Sequence, residues 1–235
     1  MPQEGSLAAH LDFVRTPVPL GRSIGTPGGG LDNATWARNA ATARIGREGE
    51  RRTAALLDVA CRRTGGATVL HDLIIPGSRA NIDHLVVAGR TVWVVDTKVW
   101  APGVYWRVGG RAFRGMARFE PAEKRTTTLA VDRLGGYLRG LGLDAVFAAP
   151  TVVVWPSGAS APLLLLGRAG DSPVVSGRTF GWAVRSMTRP RRFGAGRVRT
   201  ADQALVEGLS SLLVSRRGRR ADSVAVASDR GPRRA

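Results

Sequence analysis

The chain has 235 residues, 43% of them hydrophobic, and carries 35 Lys+Arg against 18 Asp+Glu for a formal net charge of +17. That suits one domain of ordinary size with tails. A single cysteine, Cys61, excludes a disulfide scaffold and any multi-thiolate zinc site, and only His10, His71 and His84 are present to build a histidine cage.

Residues 1–40, which include Thr26-Pro27-Gly28-Gly29-Gly30, show neither a period of 2 nor one of 3.6, so the reading there is a disordered lead-in. A helix is predicted from about Ala43 to Arg63, with Leu56, Leu57, Ala60 and Cys61 toward the core. The apolar run Thr68 to Ile75 reads as a strand, and Pro76-Gly77-Ser78 as a turn. Strands follow at Asn81–Ala88 and Thr91–Lys98, with shorter ones near Gly103–Val108 and Arg111–Arg114. Pro121 is expected to open a second helix reaching about Leu141. Val146 to Trp155 reads as an apolar strand interrupted by Pro150, with a further strand near Val174–Val175 and a helix from about Ala201 to Ser215. This order predicts an α/β architecture with a mixed sheet, formed by one domain over 41–215. The basic segment 216–235 is read as a disordered tail. No run of about 18 apolar residues and no apolar signal core are present, so a cytoplasmic setting is expected.

The positive charge lies mainly on the predicted domain. Residues 1–42 are neutral overall and 216–235 carry +5, which leaves +12 on 43–215. Such an excess favours an anionic partner, nucleic acid above all. Of the cations, 33 are Arg and only Lys98 and Lys124 are Lys, a skew that makes any one Arg a weak clue. The basic surface is equally readable as a solvated face.

The chemistry concentrates in Asn81-Ile82-Asp83-His84-Leu85-Val86-Val87-Ala88-Gly89-Arg90-Thr91-Val92-Trp93-Val94-Val95-Asp96-Thr97-Lys98. Gly89-Arg90 can serve as a two-residue hairpin turn. Ala88 then pairs with Thr91, and Asp83 comes to face Asp96. Strict alternation would put Asn81, Asp83, Leu85, Val87, Val92, Val94, Asp96 and Lys98 on one face, and Ile82, Val86, Trp93 and Val95 on the other. Two carboxylates roughly 5 Å apart require a cation, a shared proton or a neighbouring Lys or Arg. In an apolar setting, a divalent cation with oxygen ligands is an economical solution.

The segments Val69-Leu70-His71-Asp72-Leu73, Asn81 to Val87 and Val94-Val95-Asp96-Thr97-Lys98-Val99-Trp100 resemble the NERD (nuclease-related) domain. Asp83 followed by Asp96-Thr97-Lys98 is also similar to the broader PD-(D/E)XK nuclease signature. Gly46-Arg47-Glu48-Gly49-Glu50 resembles the family's Gly-Glu on the first helix, and the likeness runs from about Gly46 to Trp155. It implies a restriction-endonuclease-like three-layer core, with a mixed central sheet flanked by helices. It also implies Mg²⁺ or Mn²⁺ held by Asp83, Asp96 and the Thr97 carbonyl. Lys98 would be the catalytic lysine, and Glu50 the helix-borne acid at or near the metal. Two departures stand out. Asp96 replaces the commoner Glu, and Glu120-Pro121-Ala122-Glu123-Lys124 stands where the family often has Asn-Pro and then Gln.

Further expected substrate contacts are Lys124, Trp100, His71 and Arg79. Each has a plainer alternative: an exposed first-turn Lys, a core-edge Trp, a structural His, a solvated Arg. Glu50 falls seven residues before Leu57 and so aims at the core side of its helix, unless it is a solvated acid favoured by the helix N-terminus. His84 is expected to be structural. The expected function is metal-dependent hydrolysis of phosphodiester bonds in nucleic acid, with DNA first among partners. The alternative is a non-catalytic nucleic-acid-binding or interaction module on the same fold.

Overall fold

The computed structural model describes residues 21–29, 40–78, 80–158, 163–165, 167–188 and 198–214. An eight-stranded sheet is assembled from β1 (Ser23–Ile24), β2 (Thr68–Ile74), β3 (Asn81–Ala88), β4 (Thr91–Trp100), β8 (Val146–Phe147), β9 (Thr151–Pro156), β11 (Arg168–Ala169) and β12 (Ser172–Ser176). The path across it is β1-β2-β3-β4-β9-β12-β11, with β8 also pairing β4. β2, β3 and β4 form an antiparallel meander, whereas β9 joins β4, and β12 joins β9, in parallel. A parallel neighbour needs a crossover. Between β4 and β9 that connection contains β5 (Gly103–Val108), β6 (Arg111–Arg114), β7 (Ala117–Arg118), a 3-10 turn at Glu120–Glu123 and the helix Thr126–Gly140. β5, β6 and β7 form a small second sheet with β10 (Leu163–Leu165).

Four helices cover the large sheet: α1 (Ala40–Thr64), α2 (Thr126–Gly140), α3 (Phe180–Thr188) and α4 (Val198–Ser210). On one face, Leu57 and Cys61 of α1 and Phe180, Val184 and Met187 of α3 pack on Val69, Val86, Trp93, Val95 and Val153. On the other, Ala130, Leu134 and Leu138 of α2 and Leu205, Val206 and Leu209 of α4 pack on Leu70, Leu85, Val87, Val92 and Val94. The molecule is thus helix, mixed sheet, helix, the nuclease-like α/β arrangement expected from the sequence. Among the described residues no helix is long and apolar enough to cross a membrane.

Several expectations need correction. The second helix starts at Thr126 rather than Pro121. Pro121 instead begins a 3-10 turn that ends in extended backbone at Lys124, with ψ 136°. The strand expected over Val146–Trp155 is two strands, because Ala148-Ala149-Pro150 breaks the ladder before β9 resumes along β4. Residues 21–29, read as structureless, contain β1, which pairs in parallel with Val69 and Leu70 of β2. The rest of the predicted lead-in, 1–20 and 30–39, and the tail from 216 lie outside the described residues. α3 was not anticipated: it is only nine residues long, although Phe180, Val184 and Met187 recur at helical spacing.

Candidate active site

The hairpin has the register that a Gly89-Arg90 turn dictates. Ala88 pairs with Thr91, Val87 with Val92, Val86 with Trp93, Leu85 with Val94 and His84 with Val95. Gly89 takes a φ of 60°, open to glycine at no steric cost. Beyond His84 and Val95 the two strands part. β4 continues to Trp100 bonded to β9 on its other edge.

The cause of the fork lies in β2. Its ladder with β3 runs to His71–His84 and resumes at Leu73–Ile82, skipping Asp72 and Asp83. Asp72 has a φ of 59°, a conformation uncommon outside glycine and most tolerable for Asp or Asn. This kink reverses which residues face which side. Ile82 and Leu73 both join the cluster under α2 and α4. His71 and His84 bond toward α1 instead, through Asp58 and Thr97. Strict alternation placed Ile82 with Val86 on the α1 side, and that expectation fails at the kink.

Asp83 therefore does not lie squarely opposite Asp96. Its Oδ2 accepts the main-chain N–H of Thr97 at 2.6 Å. A strand N–H lies in the plane of its sheet, so the Asp83 carboxylate spans the fork in that plane. Asp96 and Lys98 project from the face of β4 away from α1, while Thr97 between them bonds Thr53 of α1. Lys98 Nζ donates to Asp96 Oδ1 at 2.8 Å and stands 2.7 Å from Oδ2. Oδ2 is itself buried and is paired with the Lys98 ammonium by charge rather than by a directed hydrogen bond. Burial, and then the Asp96 charge, push the Asp83 carboxyl up to about 7 against the pull of Lys98 and the Thr97 amide. Burial opposes the Lys98 charge, but Asp96 and Asp83 beside it outweigh that and hold it above the ordinary lysine range.

Glu50 reaches the same fork from α1. Gly49 is buried at the crossing of α1 over β4, where a Cβ would lie 2.4 Å from Val99 Cγ2 and 3.4 Å from Thr97 Cγ2. No side chain fits there, so glycine lets the helix ride directly on the strand. The next residue is thereby carried to the carboxylates. Burial, followed by Asp83 and Asp72, raises the Glu50 carboxyl to about 9 although Lys98 pulls it down. The Gly-Glu pair thus has a physical meaning: one residue permits contact and its neighbour uses it.

Two part-buried carboxylates, one with an oxygen held only by charge, fit an oxygen-preferring ion, as does a main-chain carbonyl at Thr97. Among the described residues no three His, Cys, Asp or Glu side chains converge as a metal-binding group. Glu50 thus acts on the pair electrostatically without completing a three-carboxylate cage.

A buried polar chain backs the fork on the α1 side. Asp58 Oδ1 lies 3.0 Å from His71 Nε2, His71 Nδ1 lies 2.8 Å from His84 Nδ1, and His84 Nε2 lies 3.3 Å from Thr97 Oγ1. Thr97 Oγ1 donates to Thr53 Oγ1 at 3.0 Å, which also accepts from Trp155 Nε1 at 2.9 Å. Burial, and then the neighbouring His71, push His84 well below the ordinary histidine range.

Two expected substrate contacts, His71 and Trp100, are relocated by these observations. His71 is 1% exposed inside the chain just described, out of reach of a substrate. Trp100 is 7% exposed and packs against Tyr105 and Phe119, with ring centroids 4.8 and 5.0 Å away. It is a core residue of the small sheet. Lys124 is exposed where the 3-10 turn ends, before α2, and makes no bond to the fork's carboxylates among the described residues. Arg79 lies outside the described residues. One participant was missed: Asp72, which raises both Glu50 and Asp83. Its signal was available, an acid inside the apolar run Val69 to Ile74.

No curated protein and no solved structure matches the chain. Residues 45–128 match the family model described as nuclease-related domain, NERD, a span that takes in Glu50, Asp83, Asp96, Thr97 and Lys98.

Proposed function

We propose that this protein is a Mg²⁺- or Mn²⁺-dependent nuclease that hydrolyses phosphodiester bonds in nucleic acid, DNA first, in the cytoplasm. One observation carries the reading. A buried carboxylate oxygen, Asp96 Oδ2, makes no directed hydrogen bond in a fork that also holds Asp83, and the Lys98 ammonium 2.7 Å away is its charge partner. Two acids gathered on one lysine leave a negative excess that a cation would balance. Asp83, Asp96 and the Thr97 carbonyl are the residues to hold the ion. When bound, Mg²⁺ supplies Lewis-acid polarisation of a phosphoryl oxygen and lowers the pKa of water.

The protein's own groups do the rest. Lys98 holds a fixed positive charge where negative charge develops on the phosphate. The Thr97 amide and the His71–His84 chain behind it hold Asp83 and β4 in place. Glu50 keeps a proton while the site is free of metal and gives it up when a cation enters, because the cation reverses the local balance of charge.

The test is cleavage of linear, nicked, branched and single-stranded substrates with Mg²⁺, with Mn²⁺ and with EDTA. Cleavage that requires the metal and vanishes in Asp96→Asn supports the reading. Equal cleavage by Asp96→Asn rejects it. A second reading, a non-catalytic binding or interaction module, is favoured by the Asp96–Lys98 ion pair, which neutralises the acid without any metal. Such a module would bind nucleic acid, or a protein partner, and cleave nothing.

A further inference from the structure

Beside the fork, on the α1 side, lies a cleft of about 320 Å³. Four arginines of α1 line it: Arg44, Arg47, Arg51 and Arg52. The acid among them, Glu48, is bonded to Arg52 at 2.9 Å, and Arg44 and Arg51 give the rim its positive charge. Its floor is apolar, made by Ile45, Val99, Trp155 and Pro156. Trp155 is held rigidly there. Its indole N–H is tied to Thr53, a Cβ on Gly177 behind it would lie 2.3 Å from the ring, and the Arg52 guanidinium covers it at 5.8 Å.

We propose that this cleft receives an unpaired nucleotide of a bound strand, so that single strands, frayed ends and flaps are preferred over continuous duplex. Cutting of a strand held there rests on the nuclease reading above; the binding does not.

The argument is one of chemistry. The cleft lies on the α1 side of β4, where Val99 points, whereas Asp96 and Lys98 project from the opposite face. Arg44 and Arg51 stand two turns apart along one helix face, about 10 Å along the axis. That is a track for a polyanion. A free phosphate would need only the arginines. An apolar floor with a guanidinium lying over an indole suits the flat face of a base. A duplex keeps those faces stacked inside and presents its backbone, so it cannot reach the floor of a narrow concavity. A membrane surface is a poor occupant, because the arginines surround a hollow rather than a flat face.

The experiment is fluorescence anisotropy in EDTA with three labelled oligonucleotides: a single strand, a blunt duplex, and the same duplex with an unpaired flap. The variants are the parent, Arg44→Ala/Arg51→Ala and Ile45→Glu, each checked for folding by circular dichroism. Ile45 is 41% exposed, so its replacement leaves the core intact. The parent is expected to bind single strand and flap about tenfold more tightly than blunt duplex. The double variant should lose most of that preference, and the slope of log K against log salt should fall by roughly 1.4, two phosphates at about 0.7 each on a single strand. Ile45→Glu should weaken single-strand binding without touching any cation. Unchanged preference and slope in all variants, from a parent that binds and cleaves, would overturn the cleft and leave the nuclease reading standing. Binding that weakens as expected, from a parent that never cleaves with Mg²⁺ or Mn²⁺, would keep the cleft and remove the nuclease. A parent that binds none of the three overturns the cleft directly.

Discussion

At the turn end of the β3–β4 hairpin, Leu85, Val87, Val92 and Val94 are at most 2% exposed beneath α2 and α4, and every residue pairs as simple alternation demands. A few residues along, the same two strands part at Asp83, the ladder ends, and Asp83, Asp96, Lys98 and Glu50 share the fork. The first region is held by apolar burial, which is insensitive to pH, salt and ions. The second is held by a kinked neighbour, an amide-to-carboxylate bond and charges that oppose each other's ionisation. Stability and chemistry therefore occupy opposite ends of one hairpin, and substitutions at the two ends should behave differently.

The largest expected effect falls at the fork and spares the fold. Asp96→Asn and Lys98→Ala should each lower metal-dependent cleavage by about 10³-fold, the scale of losing one group that stabilises developing charge. Their melting temperatures should stay near that of the parent. Their binding should split. Asp96→Asn removes a negative charge that repels phosphate, so EDTA affinity for an oligonucleotide should hold or rise, whereas Lys98→Ala should weaken it and reduce its salt dependence. A common drop in melting temperature for both would mean that the fork is structural after all.

The turn end should show the reverse pattern. Leu85→Ala deletes a fully buried side chain, at a cost of about 2–5 kcal/mol in chemical denaturation. Activity per folded molecule should be kept. Asp83→Asn, a change at the other end of the same strand, retains an oxygen for the Thr97 amide and removes a charge that burial and Asp96 disfavour. Metal-free stability should hold or rise. A large loss of stability on Asp83→Asn would break the contrast between the two ends.

What could be read from residue order follows the same division. The turn end was fully legible, because a two-residue loop fixes register and a period of 2 then fixes faces. The presence of Asp83, Asp96 and Lys98 in one place was legible too. The kink at Asp72 was not: a positive φ at an aspartate leaves no periodic mark, and it is what moves Ile82 to the other face and opens the fork. Trp100 and His71 were misassigned for a related reason. Both residue types serve equally in a core or at a ligand, and only the packing of Tyr105 and Phe119 on the one, and of His84 and Asp58 on the other, decides. The Arg-rimmed cleft was hidden because 33 arginines in one composition make any four of them unremarkable until the fold gathers them.

A smaller effect should come from Gly49→Ala. The added methyl would meet Val99 Cγ2 at 2.4 Å, and overpacking of this kind costs about 1–3 kcal/mol. The helix has to lift from β4, so Glu50 retreats from the fork. Combining the change with Val99→Ala opens the space again. Recovery of both stability and activity in the double variant would locate the effect at this one contact. Recovery of stability alone would show that relieving the clash with Val99 does not restore activity, so the loss does not come from this contact.

The subtlest expected effect is a slope against pH. Glu50 is raised from 4.5 to about 9 in the folded protein and Asp83 from 3.8 to about 7, so between those limits the native chain binds protons that the unfolded chain has released. Stability changes with pH in proportion to protons bound unfolded minus protons bound native. That difference is negative here. The contribution from these groups is fully present below about pH 4 and is lost as pH rises toward 9. Metal-free protein should accordingly melt at progressively lower temperature from pH 5 to pH 9, unlike a domain whose acids are held low by salt bridges. Glu50→Gln, neutral at every pH, should flatten the upper part of that slope, and Asp83→Asn the lower. A cation entering the fork must expel these protons, so Mg²⁺ should raise the melting temperature more at pH 8 than at pH 6. The turn end supplies the control. Leu85→Ala should lower the whole curve while leaving its slope intact, because nothing around that side chain titrates. If Leu85→Ala and Glu50→Gln change the pH slope alike, the two ends of the hairpin are not energetically separate.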